Sequence, residues 1–386
     1  MIGSFFKRRK KEFDLSSMGQ WDLIALRYRK HKLAVVSLVL ICGLYFISMF
    51  AEFFAVNDPS QNNIDYIYCQ PNIPKFSFDK GLHVCAIRQH TDPVTLRKYY
   101  TEEKDDIVPL GFFVRGYPYR IFGIVPSDIH LFGVNSAKYR AMHKDRKILP
   151  DDVPKFIFLG GDKFGRDIYS RILLGSRISL SIGVIAIVIS FLLGVSIGGI
   201  SGYFGGMTDM IIQRSIEIIN AFPKLPLWLA LGAALPRTWS NLQVYFGITV
   251  ILSLMGWTGL ARVVRGKILS LREEDYAIAA KLLGASDARI IFRHLVPGFT
   301  SHIIVSLTMT IPGMILGETG LSFLGLGLKA PTISWGVMLQ DCMSMQVVKN
   351  YPWLLLPVAL IILTVMCFNF MGDGLRDAAD PYHAGK

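Results

Sequence analysis

Charged side chains are scarce. Asp, Glu, Lys and Arg make up 18% of the 386 residues, where soluble domains carry about a quarter. The stretch G-x-x-x-x-G-K-[ST] occurs nowhere, so the chain lacks a phosphate cradle of that type and must borrow any nucleotide energy it uses. Eight His and five Cys never fall at metal-ligand spacing, and no nucleophile–base set stands out. These absences weigh against a metalloenzyme or a hydrolase. What fills the sequence instead is apolar residues, 52% of the total, in runs near the roughly 20 residues that a helix needs to cross a bilayer.

Six such runs can be marked: Leu33–Ala51, Ile178–Thr208, Ile211–Leu235, Thr238–Arg262, Leu295–Gly317 and Tyr351–Gly372. The third contains Arg214, Glu217 and Lys224 and is uncharged only over Leu225–Pro236, so its charged end is expected to project into water. The first 32 residues form a basic, polar arm, and the first apolar run is too long for the h-region of a cleaved signal. The expected fold class is therefore an all-α integral membrane protein of six transmembrane helices. A large extracytoplasmic insert lies between helices 1 and 2.

The formal charge of +12 would suggest nucleic acid in a soluble protein. Here the basic residues flank apolar spans, which fits lipid headgroups and topology better, and no nucleic-acid partner is expected. Residues 1–32 hold nine Lys/Arg against three acids, and residues 262–293 hold seven against four. With six spans, the positive-inside rule puts both segments and the C-terminal tail, 373–386, in the cytoplasm. The segment 55–157 then faces outside. With five spans, the 262–293 loop would change sides, so the topology rests on the third run.

Between the fourth and fifth spans lies EEDYAIAAKLLGASDARIIFRHLVPG, residues 273–298. Acids in its first turn suit a helix N-terminus, and Gly284 suits a helix stop. Ser286 is positioned to cap a second helix, Asp287–Leu295. The small side chains of Ala279 and Ala280 would let this helix–Gly–helix elbow sink into a groove on another protein. A DNA-binding helix pair has the same outline but is out of place in a membrane chain, and a passive connecting loop is the plain alternative. Gly194, Gly198, Gly202 and Gly206 recur every fourth residue, as close helix packing requires.

Several motifs in one order resemble the binding-protein-dependent ABC transporter permeases, in their dipeptide/oligopeptide (Opp/Dpp type C) branch. Ile278-Ala279-Ala280, three residues, Gly284 and a close at Val296-Pro297 are similar to that family's cytoplasmic EAA-type loop, with Ile278 in place of Glu and Val296 in place of Leu. Leu159–Asp167 (LGGDKFGRD) with its continuation Arg171–Ser179, Arg262–Arg272, Glu318–Gly327 (ETGLSFLGLG) and Pro331–Gly336 (PTISWG) match the branch, and Arg29–Leu40 also fits. The resemblance covers residues 155–380, with the permease domain at 158–372 and its coupling loop at 263–297.

It implies a pore-forming inner-membrane subunit in a heterodimer with a second homologous permease. Two ABC ATPase subunits would use ATP and Mg, which this chain does not bind. A periplasmic solute-binding protein would deliver the solute. The residues expected to meet the ATPase are Glu273, Tyr276, Ala279, Ala280, Leu283, Gly284 and Arg289. Di- or oligopeptides are the expected solutes, with nickel chelates and sugar or opine conjugates open. A non-ABC channel, a membrane enzyme and a secondary transporter are the other classes, and no inverted repeat supports the last.

The insert exceeds what that branch ordinarily carries. It is rich in Tyr, Pro and Asp and lacks long helical periodicity. Cys69 and Cys85 would be free to form a disulfide if it faces the periplasm. Lys224 and, one turn on, Trp228 are candidates for the translocation pathway, against the alternative that they pack on the partner subunit. Glu318 is expected to bind free backbone groups near the external face.

Overall fold

A computed structural model describes residues 19–94, 98–143 and 152–380. Most of the basic arm and the end of the C-terminal tail therefore lie outside the described residues. Helix α1 (Gln20–Lys30) leads into α2 (Lys32–Met49) and the short α3 (Ala51–Phe54). Four strands and α4 (Ser136–Met142) follow. Then come α5 (Ile168–Phe204), α6 (Gly206–Ala221), α7 (Lys224–Ala233), α8 (Asn241–Leu271), α9 (Asp275–Leu282), α10 (Asp287–Arg289) and α11 (Thr300–Phe323). The short α12 (Trp335–Met338) and α13 (Met345–Asn350) precede α14 (Leu356–Ala379).

Five helical segments among the described residues are long and apolar enough to cross a membrane: α2, α5, α8, Asp287–Phe323 and Pro352–Ala379. The third expected span is not one helix. Its chain breaks between α6 and α7, where Phe222 is extended (φ −84°, ψ 133°) and Pro223 follows. Proline removes a backbone donor, clashes with the preceding turn, and pushes the residue before it out of the helical region. What remains after the break is the ten-residue α7, short for a span by itself.

The all-α expectation also fails for the insert, which folds as a four-stranded antiparallel sheet. Its strands β1 (Lys75–Ser77), β2 (Gly81–Thr91), β3 (Lys98–Ile121) and β4 (Val125–Val134) lie in chain order. The 24-residue β3 serves two neighbours, pairing with β2 through Lys98–Pro109 and with β4 through Leu110–Ile121. Tyr, Phe, Val and Ile are frequent along β3, as a pleated surface favours. Val84, Ala86, Val108 and Leu110 form its small core with Tyr139 of α4 and Phe156.

The insert is fastened to the head of α5 by LGGDKFGRD. The Asp162 carboxylate accepts from the Phe164 and Arg166 backbone amides (2.8 and 3.0 Å) and pairs with Arg166. Chain 57–69 wraps this turn: Asn63 N donates to Phe164 O, Tyr68 N to Asp162 O, and Gly161 N to Cys69 O, each at 2.9 Å. A side chain at Gly161 or Gly165 would strike the Tyr66 or Asn63 carbonyl. Arg171 adds a bond to Pro59 O at 3.0 Å. These bonds do the bracing expected of a Cys69–Cys85 bridge. In this structure both residues are buried free thiols, and burial pushes the Cys69 thiol up to about 12.

The spans pack through small residues. A Cβ on Gly198 would lie 2.5 Å from Ala261 O and 2.8 Å from Ala261 Cα, and one on Gly202 would lie 2.8 Å from Arg265 O. Both contacts are with the α8 backbone, so α5 and α8 touch main chain to main chain, as the four-residue repeat predicts. Gly206 is the exception: it opens α6 and has open space beside it. We expect Gly198→Leu to lower stability by about 1–3 kcal/mol, since rigid backbone must move aside. Gly43→Ala, which meets nothing within 4 Å, serves as control. Thermal unfolding of the two proteins in detergent reads the difference.

Candidate functional site

The elbow after α8 has two unlike faces. On the inner face Ala277 is buried in a cluster with Ile268, Ile290, Ile291 and Leu295, against which Ala280 and Ala285 also pack. On the outer face Tyr276 and Ile278 are nearly half exposed, and Leu282 and Leu283 are 83% and 87% exposed. Ala279 lies on this outer face too. Glu273 and Arg289 stand exposed at the two ends of the elbow. Burial, followed by the nearby Glu274 charge, raises the Tyr276 phenol above its usual range, so it stays a hydrogen-bond donor.

The turn closes as a Schellman motif. Ala285 N donates to Ala280 O (3.1 Å) and Gly284 N to Lys281 O (3.0 Å). Gly284 has φ +80°, a conformation that costs other residues roughly 1–2 kcal/mol. Ser286 takes the cap position of α10 with φ −65° and ψ 150°, but its side chain makes no cap bond. The second helix is correspondingly irregular. After α10 the chain takes a π turn over Ile290–Leu295 and a 3-10 turn over Val296–Phe299, then enters α11.

Polar bonds tie the elbow to the end of α5. Arg272 donates to Gly202 O and Tyr203 O at the end of α5 (3.2 Å each) and pairs with Glu273 (3.5 Å). Tyr203 Oη donates to the Asp287 carboxylate at 2.9 Å. Just above, Arg265 of α8 grips Asp209 of α6 with two nitrogens, and Ser201 and Gln213 complete that knot. The sequence motifs held Arg265 and Arg272 but gave no sign of their distant partners, Asp209 on α6 and the Gly202 and Tyr203 carbonyls on α5.

The pathway candidates do not converge on a site. Trp228 is buried in the core with Leu252 and Met314, and a Cβ on Gly317 would lie 3.0 Å from its ring. Lys224 is exposed at the start of α7. Glu217 pairs with Arg214 (2.7 Å), one turn earlier on α6.

At the other end of α11, Glu318 is fully buried. It accepts from Ser179 Oγ of α5 (3.2 Å), Ser322 Oγ (2.9 Å) and Ser334 Oγ (2.9 Å). Its partners are hydroxyls and not the backbone groups expected. Those hydroxyls in turn accept from the backbone: Trp335 N donates to Ser179, Leu328 N to Ser322 and Val337 N to Ser334. The carboxylate reaches the backbone one atom group away. The sequence signal was available in the Ser of each flanking motif, ETGLS and TISWG.

A chain with several spans long and apolar enough to cross a bilayer is an integral membrane protein. The comparisons place it more closely. Residues 190–382 match the family described as binding-protein-dependent transport system inner membrane component, and residues 19–74 match the N-terminal TM domain of oligopeptide transport permease C. The oligopeptide transport system permease protein OppC of Bacillus subtilis is 42% identical over 225 residues, 58% of this chain and 71% of its own length. The dipeptide transport system permease protein DppC of the same organism is 42% identical over 225 residues, 58% of this chain and 68% of its own. The glutathione transport system permease protein GsiD of Pectobacterium atrosepticum is 39% identical over 224 residues, with 58% and 72% covered. A solved chain of the MetNI methionine ABC transporter overlaps with a TM-score of 0.42 at 15% identity, over 54% of this chain and 96% of that one. The chain belongs to the binding-protein-dependent transport system inner membrane component family, as an Opp/Dpp-type ABC permease. Residues 75–189, which include the whole sheet, fall between the two matched ranges.

Removal of the Glu318 carboxylate is expected to leave three serine hydroxyls without their acceptor. Each unsatisfied buried group costs about 1–3 kcal/mol. Glu318→Ala should therefore unfold at a clearly lower temperature in detergent than Glu318→Gln, which keeps an acceptor oxygen. Equal melting of the two would contradict the network.

Proposed function

We propose that this permease carries di- or oligopeptides inward and takes its drive from ABC ATPases docked on the outer face of the elbow. Glu273, Tyr276, Ala279, Leu283, Gly284 and Arg289 are assigned to that contact, and Leu282 joins them; Ala280, expected there from the sequence, packs on the inner face instead. The observation that carries the reading is the pair Leu282 and Leu283. Both are almost wholly exposed, on a helix whose other face is buried against the spans. ATP and Mg belong to the docked subunits. A second homologous permease completes the pore, and a binding protein supplies solute from the side of the sheet.

In this reading the arm, the elbow and the tail share the cytoplasmic side. The α6–α7 pair then makes one crossing between them, broken at Pro223. Lys224, at the mouth of that break, is the group offered to a peptide carboxylate. Closure of the ATPases shifts the elbow as a unit and biases the spans between inward-open and outward-open arrangements. The peptide assignment draws on the oligopeptide and dipeptide relatives. A second reading, a modified peptide such as glutathione, is favoured by the GsiD likeness.

The test is the double variant Leu282→Asp/Leu283→Asp. Burying one leucine at an interface contributes about 1.5–3 kcal/mol, so losing two should weaken ATPase capture at least about a hundredfold. Membrane insertion and melting temperature should be unchanged, because neither side chain is packed. Gly284→Trp should likewise stay in the membrane while uncoupling ATP hydrolysis from uptake. Full ATPase copurification and normal peptide uptake by both proteins would refute the docking assignment.

A further inference from the structure

A chain of phenylalanine rings runs from the body of α2 to the sheet. Phe46, exposed on α2, has its ring centroid 5.1 Å from Phe50 and 6.3 Å from Phe54. Phe50 meets Phe122, in the turn between β3 and β4, at 5.5 Å. Phe53 of α3 meets Phe113 of β3 at 6.3 Å. The β3–β4 hairpin is therefore folded back onto the end of a membrane span and does not stand away from it. Its turn is bare and apolar: Phe122 is 55% exposed and Ile124 79%, with Val125 beside them.

The level of this turn is marked by charge. Arg177 of α5 donates to Ser48 O and Met49 O at the end of α2 and to the Glu52 carboxylate of α3. Burial works against the Glu52 charge, yet the Arg177 bonds hold its carboxyl below the usual range, which favours the carboxylate. An ionised pair on the last carbonyls of a span belongs at the headgroup layer. The ring chain starts from Phe46, on the span side of that pair, and Phe50 lies between Phe46 and Glu52 in sequence. Arg120, exposed on β3 next to the turn, offers a long basic side chain suited to headgroup phosphates; Arg115, further back on β3, pairs with Asp128.

A bare apolar patch needs a cover. This one is continuous with the exposed face of α2, where Phe46 and Met49 are more than half exposed. Whatever solvates that face solvates the turn. We propose that the β3–β4 turn dips into the bilayer, placing Phe122 and Ile124 among acyl chains at the headgroup boundary and moving the sheet onto the membrane surface. The hairpin is then a shallow lipid anchor of the interfacial kind, built from a turn in place of an amphipathic helix. It rests on α2 being a span and holds whichever side of the membrane the sheet occupies.

The test is photo-crosslinking of the full chain in the cell membrane, with p-benzoylphenylalanine placed singly at positions 124, 122, 46 and 78. Position 46 reports the lipid face of α2. Position 78 carries Phe78, which is 98% exposed after β1 at the far edge of the sheet. Mass spectrometry should find phospholipid adducts at 124, 122 and 46 and their loss at 78. Lipid at 46 with only polypeptide adducts at 124 and 122, from a second permease or a binding protein, would overturn the anchor and make the patch a protein contact. Lipid at 46 with neither kind of adduct at 124 and 122 would overturn it as well. Absence of lipid at 46 would overturn the span reading of α2 and the anchor with it.

Discussion

The position of Ala277 sets what the elbow can do. A helix that receives a push on one face transmits it only if its other face cannot slide. Ala277 and Ala280 bring α9 close to the Ile268, Ile290 and Leu295 side chains, and close packing of this kind resists compression and transmits strain. The Arg272 and Asp287 bonds to the end of α5 add direction to that packing. The same smallness that looks odd in a greasy chain therefore has two uses. Ala277 and Ala280 seat the helix inward, while Ala279 keeps the outward face low enough for Leu282 and Leu283 to stand proud.

Much of this was legible in the sequence, for reasons that differ between regions. Gly284 was readable because a left-handed stop is a local backbone requirement that glycine meets best. The stripe from Gly194 to Gly202 was readable because helix period alone puts those residues on one face. The break at Pro223 is equally local, but charges on both sides of it mask it. Arg214, Glu217 and Lys224 looked like obstacles within one long span. In the structure Arg214 and Glu217 belong to α6 and Lys224 opens α7, so the proline separates them. The sheet was legible only as an absence of helical period. Its register depends on β3 pairing with two different strands, which no window along the chain can reveal.

Side-chain networks were the least legible part, because their members are distant in sequence. Glu318 reads as a structural residue from its motif, but its partner Ser179 is 139 residues away. Arg265 was read as part of a basic motif, and its partner Asp209 is 56 residues away. In both cases a motif holds one member of the pair, and nothing in the spacing of the sequence points from it to the other.

These networks gain meaning from the length of α5. At 37 residues and about 1.5 Å per residue, it measures about 55 Å, well beyond the roughly 30 Å hydrocarbon layer. Its first turn is capped by Asp167 and bonded to the chain that leads into the sheet. Ser179, three turns in, holds Glu318 of α11. Its last turn carries the Arg272 and Asp287 bonds of the elbow. One continuous helix thus joins the anchor of the sheet, the buried carboxylate and the elbow, with α8 pressed backbone to backbone along its lower half. A displacement of the elbow meets no break in α5, which is one α-helix from Ile168 to Phe204. The displacement has to be taken up either at the Glu318 network or by movement of the whole helix with the sheet it carries. A sheet resting on lipid permits the second, since a turn seated among acyl chains can slide where one bonded to protein cannot.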